Sequence, residues 1–284
     1  LGVIQPQWEL SPGASDWDKF PHKQWDIRCM EVYAAMVDRM DQGIGHIVDE
    51  LKANDALENT IFIYLQDNGG CAEYYGRADN SSKRDKFDFK PFGPNDLQTK
   101  IWPPMQTRDG RWVRTGPETM PGEEDTFVAY GLGWANTSNT PFRGYKHDGY
   151  EGGISTPFIV HWPAGISRKQ RGNIVHDPTH LIDLMPTCVE AAGATYPSKF
   201  HDDQDIQPME GISLLPALQG SSLTRGAAIG FEHHGNLALR DGRYKIVSAY
   251  RNGEPTTWEL YDMQQDRTEL NDLSEKMPEK KQAL

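Results

Sequence analysis

The hydrophobic and polar positions fall into a few well-marked segments separated by long polar stretches. Over "DIRCMEVYAAMVDRMDQGIGHIVDELKAN", apolar residues recur at Met30, Tyr33, Ala34, Val37, Met40, Ile44, Ile47, Val48 and Leu51. That i, i+3, i+4, i+7 spacing predicts one long amphipathic helix over 26–53, weakened in its middle by Gly43 and Gly45. "IFIYLQ" then reads as a buried strand over 61–66 that stops at Asp67-Asn68-Gly69-Gly70, and "PFIVHW" as a second over 157–162, closed by Pro163. "VHDPTHLIDLMPTCVEAAGA" predicts a helix with Asp177 as N-cap, Pro178 at N1 and Gly193 at its end, kinked or divided by Pro186. "GISLLPALQG" suggests a short helix.

From about residue 226 the pattern changes to short strands, "AAIGFEH", "NLALRDG", "YKIVSAY" and "TWELYDM". Asp241-Gly242 is a hairpin signal among them. The reading is a small antiparallel sheet followed by a polar helix over 274–284, which divides the chain into 1–225 and 226–284. Residues 1–25 are irregular and read as an extended segment laid over a larger body. Residues 77–125 are a long polar excursion with a turn at Asp109-Gly110. So long a loop in a compact domain usually means function or mobility.

Composition narrows the picture. The 284 residues are 37% hydrophobic, with a formal net charge of -12, which argues against a nucleic-acid partner, since such proteins carry a basic face. No apolar run is long enough to cross a membrane. Cys29, Cys71 and Cys188 are odd in number and widely spaced, so they form neither a CxxC pair nor a disulfide framework.

Two clusters offer chemistry. Asp67 and Asn68 sit at the carboxyl end of the first core strand, where ligands gather in a mostly parallel sheet. A carboxylate and an amide carbonyl are hard oxygen donors suited to Ca²⁺ or Mg²⁺; the same tetrapeptide also reads as a plain turn. In "NTPFRGYKHDGYEGGISTPF", Arg143, Lys146 and His147 are locally basic. A lysine there can grip one oxygen of a bound oxyanion, or be a solvated surface charge. Glu151-Gly152-Gly153 reads as a tight turn. His180 and Asp183, three apart, read as a capping pair rather than a metal pair. His233 and His234, adjacent on a strand, would point to opposite faces and make a poor zinc pair. His22 has no visible partner, and the eight tryptophans read as packing.

Taken together, "VYAAMVDRMDQGIGHIVDEL", "IFIYLQDNGGCAE", "GLGWANTSNTPFRGYKHDGYEGGISTPFIVHWPAGI", "HLIDLMPTCVEAAGA" and "GNLALRDGRYKIV…WELYDMQQDRTELNDL" resemble the sulfatase family, and within it the bacterial arylsulfatases. The resemblance implies an α/β, alkaline-phosphatase-like fold, here its C-terminal part, with a small antiparallel sheet subdomain. It implies hydrolysis of sulfate monoesters through a formylglycine and a Ca²⁺ ion. Asp67 and Asn68 would be metal ligands and Lys146 a sulfate contact, with His147 near enough in sequence to reach the same pocket. The substrate would be a small sulfate ester or a sulfated glycan, and the compartment periplasmic or secreted.

The chain departs from the family at the nucleophile. None of its cysteines begins a Cys-x-Pro-x-Arg motif, and Ser155-Thr156-Pro157-Phe158-Ile159 ends in Ile where Arg is required. The family's N-terminal Asp-Asp metal pair is missing too, so the expectation is a C-terminal portion that is inactive alone. A phosphomonoester or phosphonate hydrolase of the same superfamily, or a non-catalytic binding module, are the alternatives.

Overall fold

A computed structural model describes residues 4–86, 88–99, 105–201 and 204–284. The long helix α1 spans Lys23–Ala53, three residues longer at its start than the apolar spacing predicts. Its first turn is anchored: Trp25, Asp26 and Cys29 are buried, and the Trp25 indole donates to the Thr119 carbonyl at 2.9 Å. Asp26 forms a buried ion pair with Arg77, which also donates to the carbonyls of Ala129 and Tyr130. The rest of α1 is less covered. Met36, Val37, Met40 and Ile47, all on the apolar spacing or beside it, stand exposed.

Strand β1 is Phe62–Leu65 and β2 is Phe158–His161. They pair antiparallel, with Phe62 opposite His161 and Leu65 opposite Phe158, which corrects the parallel arrangement assumed for the site. An apolar run carries no information on strand direction. The outcome keeps Asp67 at a strand end and sets it beside the start of β2, where the Thr156 hydroxyl donates to the Gln66 carbonyl at 2.8 Å. Nor is β1 buried as expected: all four of its residues are half-exposed, and Ile159 on β2 is 59% exposed.

Between the two strands lie helix α2 (Leu132–Asn139) and the one-turn helix α3 (Glu151–Ile154). The Asp109-Gly110 turn forms as expected, with Gly110 at φ +86°. The N-terminal segment lies across the body, Ser11 donating its amide to the Pro141 carbonyl at 3.2 Å and Trp8 packing against Phe142.

Helix α4 runs from Leu184 to Ala191. A 3₁₀ turn over Leu181–Asp183 precedes it, capped reciprocally by His180 and Asp183, so these two residues are the capping pair the sequence suggested. The expected start at Pro178 is therefore too early. Asp177 instead accepts from the Leu223 amide at 2.7 Å. Pro186 falls in the first turn of α4, where its missing N–H costs nothing, and the helix is not divided. Helix α5 is Leu215–Gln219.

The C-terminal sheet is antiparallel in the order β3 (Ile229–His233), β4 (Asn236–Asp241), β5 (Tyr244–Ser248) and β8 (Glu259–Asp262). The two-residue strands β6 (Tyr250–Arg251) and β7 (Glu254–Pro255) form a separate ribbon. Asp241 pairs with Tyr244 across a two-residue turn. The main apolar cluster lies here: Ala238, Val247, Ala249, Tyr261 and Met263 pack with Tyr150 from the loop ahead of α3. The last helix, α6, spans Pro278–Ala283, shorter than expected because Asp272 bonds the amides of Leu260 and Ser274 and holds the chain against β8. Among the described residues, no helix is long and apolar enough to cross a membrane.

Candidate functional site

The loop after β1 and the loop from Asn139 to α3 are joined backbone to backbone. The Gly69 amide donates to the Gly153 carbonyl at 2.9 Å, and the Lys146 amide to the Gly70 carbonyl at 3.0 Å. Asn139 bridges the two, its Oδ1 accepting from the Gly70 amide at 2.8 Å and its Nδ2 donating to the Gly144 carbonyl at 3.0 Å. This closeness explains the glycine pairs. A Cβ on Gly69 would sit 1.7 Å from the Gly152 carbonyl oxygen, and one on Gly152 would sit 2.3 Å from that of Gly144. Gly69, Gly152 and Gly153 are thus required by space, each against a backbone carbonyl, rather than by a left-handed turn. Glu151-Gly152-Gly153 is a helical turn, which corrects the tight-turn reading.

Lys146 is brought to this frame with its ammonium 3.2 Å from a Glu73 carboxylate oxygen, to which the Cys71 thiol also donates at 2.9 Å. Partial burial alone would lower the Lys146 pKa. Glu73, followed by Cys71 and Asp67, outweighs it, so the amine is held above the ordinary lysine value. Glu73 is held below the usual carboxylate range, first by the Cys71 hydrogen bond and then by Lys146 against the opposing effect of burial. Burial and the Glu73 contact push the Cys71 thiol up. Lys146 is therefore a permanently charged, partnered cation and not a free surface lysine.

Asp67 is exposed and lies within electrostatic reach of Lys146. Asn68 spends its amide nitrogen on the Gly69 carbonyl at 2.8 Å, which leaves its oxygen as the group able to face a ligand. The donor chemistry of the pair fits a hard cation. Two oxygens are a part of the roughly six to eight that Ca²⁺ takes, and among the described residues no group of three or more His, Cys, Asp and Glu gathers around them.

His147 adopts φ +83°, uncommon for a residue with a side chain. Its Nε2 lies 3.6 Å from Glu73, and its Nδ1 is buried with no hydrogen-bond partner among the described residues. The ring stacks on His233 with centroids 4.8 Å apart, and His234 meets both edge-on. This corrects the reading of His233 and His234 as diverging. His233 ends β3, and His234 is in a two-residue turn with Gly235, at φ +50° and +79°. Strand alternation does not apply across such a turn. The His233 pKa is lowered, first by burial and then by its two histidine neighbours.

The basic stretch is divided by function. Arg143 turns away from the frame, donating to the Glu269 carbonyl at 2.8 Å and lying over the Tyr150 ring. Glu151 is 2% exposed and pairs with Lys245 at 3.0 Å and Arg267 at 2.5 Å, while its amide donates to the Glu269 carboxylate at 2.7 Å. Lys245, fully buried, also lies 2.7 Å from Glu269. Burial would raise the Glu151 pKa, but Lys245 and Arg267 win and lower it to about 2. Glu269 goes the other way, pushed up by burial against the pull of Lys245 and further by the Glu151 charge. These buried charges fasten the site loop to the C-terminal sheet.

Sequence reasoning missed Asn139, Glu73, the Glu151 clamp and the histidine triplet. The clamp joins residues more than ninety positions apart. Nothing local marks a lone Lys on a strand as buried.

Comparison with known proteins identifies the class. A family model described as Sulfatase matches residues 11–194, and one described as N-sulphoglucosamine sulphohydrolase, C-terminal, matches residues 145–283. The chain belongs to the sulfatase family. It is 31% identical to an uncharacterized sulfatase of Schizosaccharomyces pombe over 94% of this chain and 44% of that protein. It is 30% identical to an arylsulfatase of Klebsiella aerogenes over 75% of this chain and 41% of that protein. A solved structure from work on glycosaminoglycan metabolism by Bacteroides thetaiotaomicron matches with a TM-score of 0.50 at 20% identity, over 86% of this chain and 41% of that one. The fold is alkaline-phosphatase-like, as expected. The chain spans less than half the length of these relatives.

Proposed function

We propose that these residues form the C-terminal portion of a sulfate monoester hydrolase of the arylsulfatase type. The observation that carries this reading is the side-by-side placement of Lys146 and the Asp67–Gly70 loop in one hydrogen-bonded frame. Lys146 would hold a nonbridging sulfate oxygen, with Glu73 and the Gly70 carbonyl fixing its position. Neutralising charge that builds on a transferring oxyanion is worth most when the donor is preorganised. Asp67 and Asn68 would supply two oxygens to a Ca²⁺ ion, or to Mg²⁺, completed by carboxylates from elsewhere in the polypeptide. When bound, that ion supplies positive charge for the sulfate, and a formylglycine outside these 284 residues supplies the nucleophile. The sulfatase membership and the arylsulfatase relative support this assignment.

The test is the ratio of rates on an aryl sulfate and an aryl phosphate for the polypeptide that carries these residues together with a formylglycine. The reading predicts that sulfate is preferred by at least about tenfold in kcat/KM, a difference of roughly 1.4 kcal/mol in transition-state binding. A preference for phosphate would assign the site to phosphomonoester hydrolysis. The 284-residue chain alone is predicted to turn over neither.

A further inference from the structure

We propose that His147, His233 and His234 form a binding site for a divalent first-row transition metal of the zinc type. One ring nitrogen from each of the three lies within 4.8 Å of the others. A metal held at about 2.0–2.1 Å from each imidazole needs nitrogens roughly 3.3 Å apart in a tetrahedral site. His233 and His234 are exposed, and to converge on one ion the His233 ring would turn out of its stack with His147 and the His234 ring out of its edge contacts.

Three further observations point to a ligand. The His147 Nδ1 is buried and has no partner among the described residues, although buried ring nitrogens nearly always find one. Its Nε2 faces Glu73 at 3.6 Å, the carboxylate placement that fixes a metal-binding imidazole through its second nitrogen. Two of the three histidines also occupy left-handed backbone conformations, at φ +83° and +50°. Glycine or asparagine would fit those positions with less strain, and residues kept there at such cost cluster at functional sites.

The donor set distinguishes this site from the Asp67–Asn68 pair. Imidazole nitrogens suit Zn²⁺, Ni²⁺ or Cu²⁺, whereas carboxylate and amide oxygens suit Ca²⁺ and Mg²⁺. Three protein ligands leave a fourth position for water or another ligand. Because His147 follows Lys146 directly, an ion here would pin the β3–β4 turn beside the proposed sulfate contact. The metal assignment stands or falls independently of the sulfatase activity.

Calorimetric titration of the 284-residue chain with Zn²⁺, and separately with Ca²⁺, tests it. His233→Gln and His234→Asn, the latter chosen because asparagine tolerates the turn, are each expected to weaken Zn²⁺ binding at least tenfold and leave Ca²⁺ binding unchanged. In the unaltered chain, Zn²⁺ is expected to protect His147, His233 and His234 together from diethyl pyrocarbonate, as mapped by peptide mass spectrometry. Unchanged Zn²⁺ affinity in both variants, or protection that spares these three histidines, would overturn the proposal.

Discussion

Gly69 and Glu151 show how single residues hold this site in shape. At Gly69 the Gly152 carbonyl is so near that a methyl group cannot enter without moving backbone. Gly69→Ala is expected to destabilise the chain by about 1–3 kcal/mol or more, as over-packing does, and to be read as a lowered midpoint in urea. Glu151 offsets two buried cations. Glu151→Gln leaves Lys245 and Arg267 short of negative charge and is expected to cost on the order of 3–5 kcal/mol. Because the Glu151 pKa is lowered in the folded chain, its contribution is complete above the unfolded carboxylate value near 4.5 and is lost as pH falls toward about 2. Urea midpoints of the unaltered chain and of Glu151→Gln should therefore differ most above pH 4.5 and converge below it. A gap that stays constant with pH would remove Glu151 ionisation from the account.

At the scale of elements, the periodic segments were readable and their partners were not. The apolar spacing located α1 to within three residues of its start, and the runs at Phe62–Leu65 and Phe158–His161 were placed to within a residue. Local patterns encode such elements directly. They do not encode direction, so the antiparallel pairing of β1 with β2 was missed. They also predicted burial that the described residues do not supply, as at Met40 and Ile47 on α1. The same limit applied at the site. Asp67, Asn68, Lys146 and His147 were legible as motif residues. Glu73 and Asn139 position them through contacts that no spacing rule reveals, and His234 was misjudged because a turn was read as strand. What holds α1 to the body is equally non-local, the buried Asp26–Arg77 pair across fifty-one positions. Asp26→Asn is expected to cost about 3–5 kcal/mol through the unpaired guanidinium, measurable by denaturant unfolding; a loss below 1 kcal/mol would mean that Arg77 is satisfied by the Ala129 and Tyr130 carbonyls alone.

For the whole molecule, a net charge of -12 surrounds a frame in which Lys146 is itself paired with Glu73. An anionic substrate would have to be recognised by that frame and by bound metal rather than by the general field. The chain spans less than half of its relatives' length, and the proposed reaction would need a formylglycine and further metal ligands in addition to these residues. On this account these residues supply a sulfate grip and two oxygens of a calcium site. Removing one of the two calcium oxygens by Asp67→Ala should weaken Ca²⁺ binding in the 284-residue chain, and unchanged affinity would withdraw that assignment.

The most direct measurement concerns Lys146 in a polypeptide that carries these residues together with the proposed formylglycine. The kcat/KM for an aryl sulfate would be compared between the unaltered protein and Lys146→Ala, with folding checked by circular dichroism. The account predicts a loss of about 100- to 1000-fold, the range seen when a preorganised donor to a developing oxyanion is removed. A folded Lys146→Ala protein that retains its full rate would contradict it.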